Sequence, residues 1–342
     1  MNDRNGGGAK PASMSVIAQA TGYSTATVSH ALNDSGRVSP ETRERIRSVA
    51  REYGYETPRR RRSKKGRALA VVLSANIHED QTPNYYVGEL LAGVESAASA
   101  RGIEVMIGFW DEQRPTILTN RSLRGVLYLG GDFDADEVRR VPLAGVTVGS
   151  YLPGCLTPAV LADNRMGTYL ATLTLIDSGC QELALVNGQI DAPTSGDKYL
   201  GFRDALLERG LPFKEDRVEH VNFSISGGLK AGRRLFSSDP HVDGIVTGDD
   251  PIAMGVIQAA WQHGIQIPGD ISIIGYGNSV MSREAEPALS TVHVDRRRMS
   301  KIAVGLLSSH EASFPQAAQR IFLQPSVVQR ETTGTVGSGK EQ

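Results

Sequence analysis

Hydrophobic positions along the chain change period near residue 67. From Ser13 to Gly54 they recur at helical spacing, in three short pieces. In the first, Met14, Ile17, Ala18 and Thr21 stand at i, i+3, i+4 and i+7, with Ser13 placed to cap the helix. Gly22 allows a turn, and Ser24 can cap a second helix beginning at Thr25. At about 100° per residue, Val28, Ala31 and Leu32 of that helix share one side. Thr25, Ala26, Ser29, His30 and Asn33 take the other, so an apolar face opposes a small, polar one. A third helix opens at Ser39-Pro40-Glu41, with a capping serine, Pro at the first position and an early acid. It runs through Ile46, Val49 and Ala50 to Gly54.

From Ala68 onward, short apolar runs alternate with amphipathic stretches. The runs are ALAVVLS (68–74), EVMIGFW (104–110), GVLYLG (125–130), AGVTVG (144–149), LALVNG (183–188), DGIVTG (243–248) and DISIIGY (270–276). Such runs suit strands buried on both faces of a parallel sheet. Helical stretches lie between them at 86–101, 164–178, 197–209, 227–236 and 250–263. Several stop at Gly102, Gly179, Gly210 or Gly264, as left-handed helix ends do. The alternation predicts an α/β body with right-handed crossovers. Its length calls for two similar subdomains, although no internal sequence repeat is visible.

Composition adds an asymmetry. The 342 residues predict two or three domains and carry a net charge of only −1. Residues 1–67 nevertheless hold 14 Lys+Arg against 6 Asp+Glu, so a basic head precedes an acidic body. Such a head suits a polyanion, or else merely solubilises the chain. Residues 55–67 (YETPRRRRSKKGR) read as a basic linker. Residues 1–12 and 335–342 read as disordered tails. No apolar run approaches ~18 residues, and the N-terminus has no apolar signal core, so a cytoplasmic protein with no membrane partner is expected. Cys155 and Cys180 are far apart in sequence, and the seven histidines are scattered, which argues against a disulfide framework or a metal site. No G-x-x-x-x-G-K-[ST], G-x-S-x-G or H-E-x-x-H occurs. GYGNSV after ISIIGY lacks the third glycine of a dinucleotide fingerprint, so no cofactor and no enzyme activity are expected.

The stretch SVIAQATGYSTATVSHALNDSGRVSPETRERIRSVAREYGY resembles the DNA-binding headpiece of the lactose repressor/galactose repressor (LacI/GalR) family. T-V-S-H-A-L-N, V-S-P-E-T-R-E-R-I and Y-G-Y carry the likeness, and T-A-T-V-S-H is similar to the purine-repressor branch. It implies a helix-turn-helix headpiece over 13–54 whose second helix enters the major groove. Thr25, Ala26 and His30 match base-reading places; Ser24, Ser29, Asn33, Ser39 and Thr42 match phosphate-contacting ones. Many relatives have Arg where His30 stands, and Arg takes guanine bidentately, which His cannot do. Relatives usually follow the headpiece with A-R-x-L, whose leucine wedges into the minor groove. Here Arg59, Arg60, Arg61 and Arg62 follow Pro58, and no leucine stands between Pro58 and Leu69, so no wedge is expected: the arginines meet phosphates, or one enters a narrow A·T-rich minor groove, or the segment is a mobile charged tether.

The resemblance continues through NYYVGELLAGVESAASARGIEV, VLADNRMGTYLA, KYLGFRDALLERGL, GIVTGDDPIAMGVIQAAWQHGIQIPGDISIIGYGN and PALSTVHVD. It implies an effector-binding and dimerisation core over 68–334. That core is similar to periplasmic sugar-binding proteins, with two doubly wound subdomains, three crossovers and a ligand cleft. The first subdomain takes 68–162 and 294–319, the second 163–293 and 320–334. Tyr86, Lys198, Phe223 and Asp249 match the family's ligand positions. Lys198 replaces the usual arginine, and Gly277 replaces an aspartate that accepts ligand hydroxyls. Each has a plainer reading: Phe223 as packing, Lys198 as a solvated helix residue, Asp249 or Asp250 as a helix cap. DEQRPTILTNRSLRG is shorter than its family counterpart, so a helix there is expected to be trimmed or lost.

The expected function is sequence-specific repression by a homodimer on palindromic double-stranded operator DNA, controlled by a small metabolite, with a sugar favoured. The alternatives are a sugar-binding protein or a Rossmann-type oxidoreductase with an accessory basic head. An oxidoreductase accounts for the sheets but not for the head.

Overall fold

The computed structural model describes residues 13–32, 38–53, 55, 66–74, 85–110, 114–130, 133–238, 241–308 and 319–334. The expectations for both tails, Asn33 and Arg59 to Arg62 therefore lie outside the described residues. The chain divides into two compact units, Met1–Arg67 and Ala68–Gln342.

Among the described residues, the first unit contains α1 (Met14–Thr21), α2 (Thr25–Leu32) and α3 (Pro40–Glu52). Its core is Ile17, Ala18, Val28, Ala31, Ile46 and Ala50, all buried, with Met14, Leu32 and Val49 packed at the margin. Gly22 takes a φ of 76° and donates its N–H to the Ala18 carbonyl, so the turn uses the conformation that glycine permits. Ser13 occupies the cap position of α1, but its hydroxyl bonds the Ser15 hydroxyl and caps no backbone N–H. That expectation is corrected: both hydroxyls are exposed and bond each other across two residues.

The second unit carries twelve strands among the described residues, in two six-stranded sheets. The first half of the unit runs β1 (Ala68–Ser74), α4 (Tyr85–Ser99), β2 (Glu104–Trp110), β3 (Leu123–Leu129), α5 (Ala135–Arg139), β4 (Gly145–Val148) and β5 (Ala159–Ala162). The second half runs α6 (Asn164–Asp177), β6 (Leu183–Asn187), α7 (Pro193–Glu208), β7 (Val218–His220), α8 (Ile225–Ser238), β8 (Gly244–Thr247), α9 (Asp250–Gln262), β9 (Ser272–Gly277), α10 (Val280–Glu284) and β10 (Ser290–His293). Then come α11 (Arg296–Ser308), β11 (Arg320–Leu323) and β12 (Ser326–Val328). The sheet orders are β2-β1-β3-β4-β5-β11 and β7-β6-β8-β9-β10-β12. The two halves thus repeat one doubly wound plan without repeating one sequence, because the plan needs only buried strands and covering helices. All these pairings are parallel except β10 with β12.

Strands β1, β5, β6, β8 and β9 are buried at every position, as continuous apolar runs require. EVMIGFW departs from that expectation. It forms β2 at the sheet edge, where Ile107 and Phe109 are exposed. A 3₁₀ turn, Thr116–Thr119, stands between β2 and β3 where the sequence suggested a lost helix. The chain crosses between sheets three times, at 162–164, 293–296 and 323–326. The last crossing corrects the sequence boundary at 320, because residues 320–323 pair with β5 in the first sheet. Helix α11 packs on the first half, where Ser300 donates its hydroxyl to the Leu90 carbonyl at 2.9 Å.

Candidate nucleic-acid interface and ligand cleft

The outward face of α2 is what its wheel requires. Thr25, Ala26 and His30 are exposed and Ser29 is half-buried, while Val28 and Ala31 are fully buried beneath them. Short side chains let such a helix approach base edges, and His30 reaches furthest. Two of the serines matched to phosphate places are already at work on the fold. Ser24 Oγ accepts from the Thr27 N–H at 3.1 Å, and Ser39 Oγ accepts from the Thr42 N–H at 3.3 Å. The Ser39 hydroxyl in turn donates to Thr42 Oγ1 at 2.9 Å. Both are helix N-caps, and the three N-termini add positive dipole ends suited to anions.

In the second unit, the carboxyl ends of β4, β8 and β9 converge, which is where doubly wound sheets bind ligands. Lys198, on α7, is buried, so the solvated reading fails. Its Nζ donates to the Gly248 carbonyl at 2.7 Å and lies 4.3 Å from the Tyr276 ring centroid and 5.6 Å from that of Phe223. Burial pushes its pKa down to about 8, because the charged form loses its water. Phe223 keeps more than a third of its surface exposed and is not ordinary core packing. Its ring lies over Gly188, where a Cβ would come within 1.9 Å of it. Asp249 caps α9, accepting from the Ile252 N–H at 2.8 Å, as the plainer reading held. Burial raises its pKa to about 7, against the helix N–H and the nearby Lys198 charge.

Tyr86, on α4, sits against the end of β4, with its hydroxyl over Gly149. Its ring lies 5.1 Å from the Arg296 guanidinium carbon. Arg296 is the residue that the sequence reading missed. It opens α11, is 6% exposed, and donates from Nη1 to Glu89 Oε2 at 2.7 Å. Its Nη2 points at Gly277, where a Cβ would lie 2.5 Å away. A signal was present: three arginines in the first turn of a helix oppose its dipole, so one needs another reason to be there. Asp250 is also committed inside the cleft, accepting from the Ser279 N–H at 2.7 Å and the Thr291 hydroxyl at 2.5 Å. The structure thus brings Lys198, Phe223, Asp249 and, through Arg296, Tyr86 together.

Comparison with known proteins gives the same division. Residues 13–58 match the model described as bacterial regulatory proteins, lacI family. Residues 172–333 match a periplasmic binding protein-like domain. The chain joins a LacI-family DNA-binding domain to a periplasmic-binding-protein-like domain. Among its curated relatives is the HTH-type transcriptional repressor PurR of Erwinia tasmaniensis, 29% identical over 92% of this chain and 95% of that one. Another is the ribose operon repressor of Haemophilus influenzae, 27% identical over 94% of this chain and 98% of that one. Among solved structures, the chain is similar to the transcriptional regulator CelR–cellobiose complex. The TM-score is 0.69 at 25% identity, covering 94% of this chain and 99% of that one. The lac repressor dimer bound to operator and the anti-inducer ONPF shares the fold, at a TM-score of 0.71 and 20% identity, covering 96% and 100%. No helix among the described residues is long and apolar enough to cross a membrane.

Proposed function

We propose that the chain represses transcription as a homodimer on palindromic operators, through a headpiece at 13–54, a basic linker at 55–67 and an effector core at 68–334. One observation carries the DNA half: α2 exposes Thr25, Ala26 and His30 above a fully apolar underside. In this reading His30, Thr25 and Ala26 meet base edges. Ser24, Ser29, Asn33, Ser39 and Thr42 meet phosphates with Arg59 to Arg62. Tyr86, Lys198, Phe223 and Asp249 bind the effector, a sugar or related metabolite, which biases two subdomain orientations and so operator affinity. That relatives of this length are named as repressors supports it.

The test is selection of duplex DNA from a random library by the full chain, followed by release with candidate metabolites. Palindromic sites with half-sites about one helical turn apart are expected. Recovery without sequence enrichment would exclude operator recognition. Lys198→Ala and Phe223→Ala should keep operator affinity and lose the effector response; a normal response in both would remove these residues from the site.

A further inference from the structure

The cleft holds two buried cations, and among the described residues neither is fully used. Lys198 Nζ has one hydrogen bond, to the Gly248 carbonyl, and otherwise faces the rings of Tyr276 and Phe223. Arg296 gives Nη1 to Glu89, while its Nε is buried with no hydrogen-bond partner. Nε and Nη2 form the flat edge of a guanidinium that grips a carboxylate or phosphate with two parallel bonds. Tyr86, stacked on the guanidinium, helps to hold that plane. An N–H left unmet in a buried site is costly, so an acceptor is expected to complete it.

The neighbouring residue strengthens the point. Gly277 stands where the resemblance places an aspartate that accepts ligand hydroxyls. With a φ of 125° and no Cβ, it leaves room for Arg296 Nη2. The next residue back, Tyr276, lies under Lys198 Nζ. So Gly277 itself offers no acid, and two cations lie against the carboxyl end of β9 beside Asp250. Of the acids near the two cations among the described residues, Asp197 precedes Lys198 on α7 with its carboxyl raised by burial, Asp163 caps α6 through the Met166 N–H, and three more are engaged with the fold. Asp250 accepts from Ser279 and Thr291, Asp249 caps α9, and Glu89 meets only the Nη1 end.

We infer that the effector is an anion: a small polar metabolite whose carboxylate or phosphate is taken bidentately by Arg296, with Lys198 as the second positive group. This deepens the proposed effector site and rests on that reading. Arg296→Lys keeps the charge and loses the flat edge.

The experiment measures melting and calorimetric titration of the full chain with matched compounds: D-glucose against D-glucuronate, D-gluconate and D-glucose 6-phosphate, with D-galactose against D-galacturonate. At least one acid should bind and its neutral parent should not. The glucuronate and 6-phosphate arms separate a carboxylate from a phosphate ligand. Arg296→Lys should weaken the acid at least about tenfold. Glu89→Gln, which leaves the guanidinium less neutralised, should tighten it. Neutral sugars that bind as well as their acids overturn the inference. So does a panel in which no acid shifts the melting temperature, or an acid affinity unchanged in Arg296→Lys. Operator binding by the same preparation reports separately. If DNA is still bound and a neutral sugar releases it, the regulator reading stands and only the anion is lost.

Discussion

The two functional regions treat water in opposite ways. On α2 the side chains offered to DNA are exposed, and the apolar ones beneath them hold the helix in place. In the cleft the polar groups are themselves buried: Lys198, Arg296 and Asp250 are each less than a tenth exposed. On α2, Thr25, Ala26 and His30 stay exposed to water and outside the apolar core, whereas Ser24 and Ser39 already cap helices. The cleft removes its groups from water in advance, and each must be satisfied by the protein or by a ligand. A change in the headpiece should therefore act through its core or its readers separately. A change in the cleft should alter effector binding and the stability of the second unit together, leaving operator affinity in place.

The largest effect expected follows from the headpiece core. Ile46 is fully buried in a cluster of six small and medium side chains. Ile46→Ala should cost about 2–5 kcal/mol, which a unit of this size can barely absorb. Operator binding should be lost in anisotropy titrations while the melting of the second unit stays in place. A parallel fall in both would show that the units do not fold separately.

Next comes the exposed reader. His30→Ala should weaken operator binding by about 1–3 kcal/mol per half-site and relax preference at one symmetric base pair. Headpiece stability should hardly move, since Val28 and Ala31 beneath are untouched. Competition against single-base operator variants decides it, and an unchanged profile would reject the assigned register.

The same contrast explains what the sequence disclosed. In α2, exposure and function coincide, so one wheel separates Val28 and Ala31 from Thr25, Ala26 and His30. In the sheets, seven apolar runs marked strands correctly. Edge position did not show, because EVMIGFW is as apolar as its buried neighbours and only pairing order leaves Ile107 and Phe109 outside. The other five strands, β5, β7, β10, β11 and β12, are only three or four residues long and carry too few positions to show a period. Lys198 and Phe223 were found by likeness, since local pattern alone made one a solvated helix residue and the other core. Arg296 escaped because its partners are remote: Glu89 lies 207 residues away, and Gly277 was read as an absence, not as room for a guanidinium.

The cleft can be sharpened by pH. Lys198, lowered to about 8 by burial, is charged below that value and neutral above it. Asp249, raised to about 7 by burial, is neutral below and anionic above. Both changes oppose an anionic ligand as pH rises. Affinity for an acid should be greatest below about 7 and fall by up to about tenfold per pH unit above 8. A neutral sugar should lack this slope. Calorimetry between pH 6 and 9 distinguishes them, and a flat acid profile would detach Lys198 from the ligand.

The smallest effect tests whether a headpiece side chain can serve fold and DNA at once. Ser39 caps α3 through the Thr42 N–H, yet it also matches a phosphate place. Ser39→Ala removes both roles and should cost about 1 kcal/mol of headpiece stability. Ser39→Asp separates them: aspartate caps as well as serine and complements the helix dipole, but brings a negative charge to the backbone of DNA. If Ser39 is only a cap, the aspartate variant should melt like the parent and bind the operator nearly as well. If it also faces phosphate, that variant should keep its stability and lose affinity at every operator sequence alike. Repulsion of this kind is screened by salt, so the deficit should narrow as ionic strength rises. A loss confined to particular bases would instead place Ser39 among the readers, beside His30.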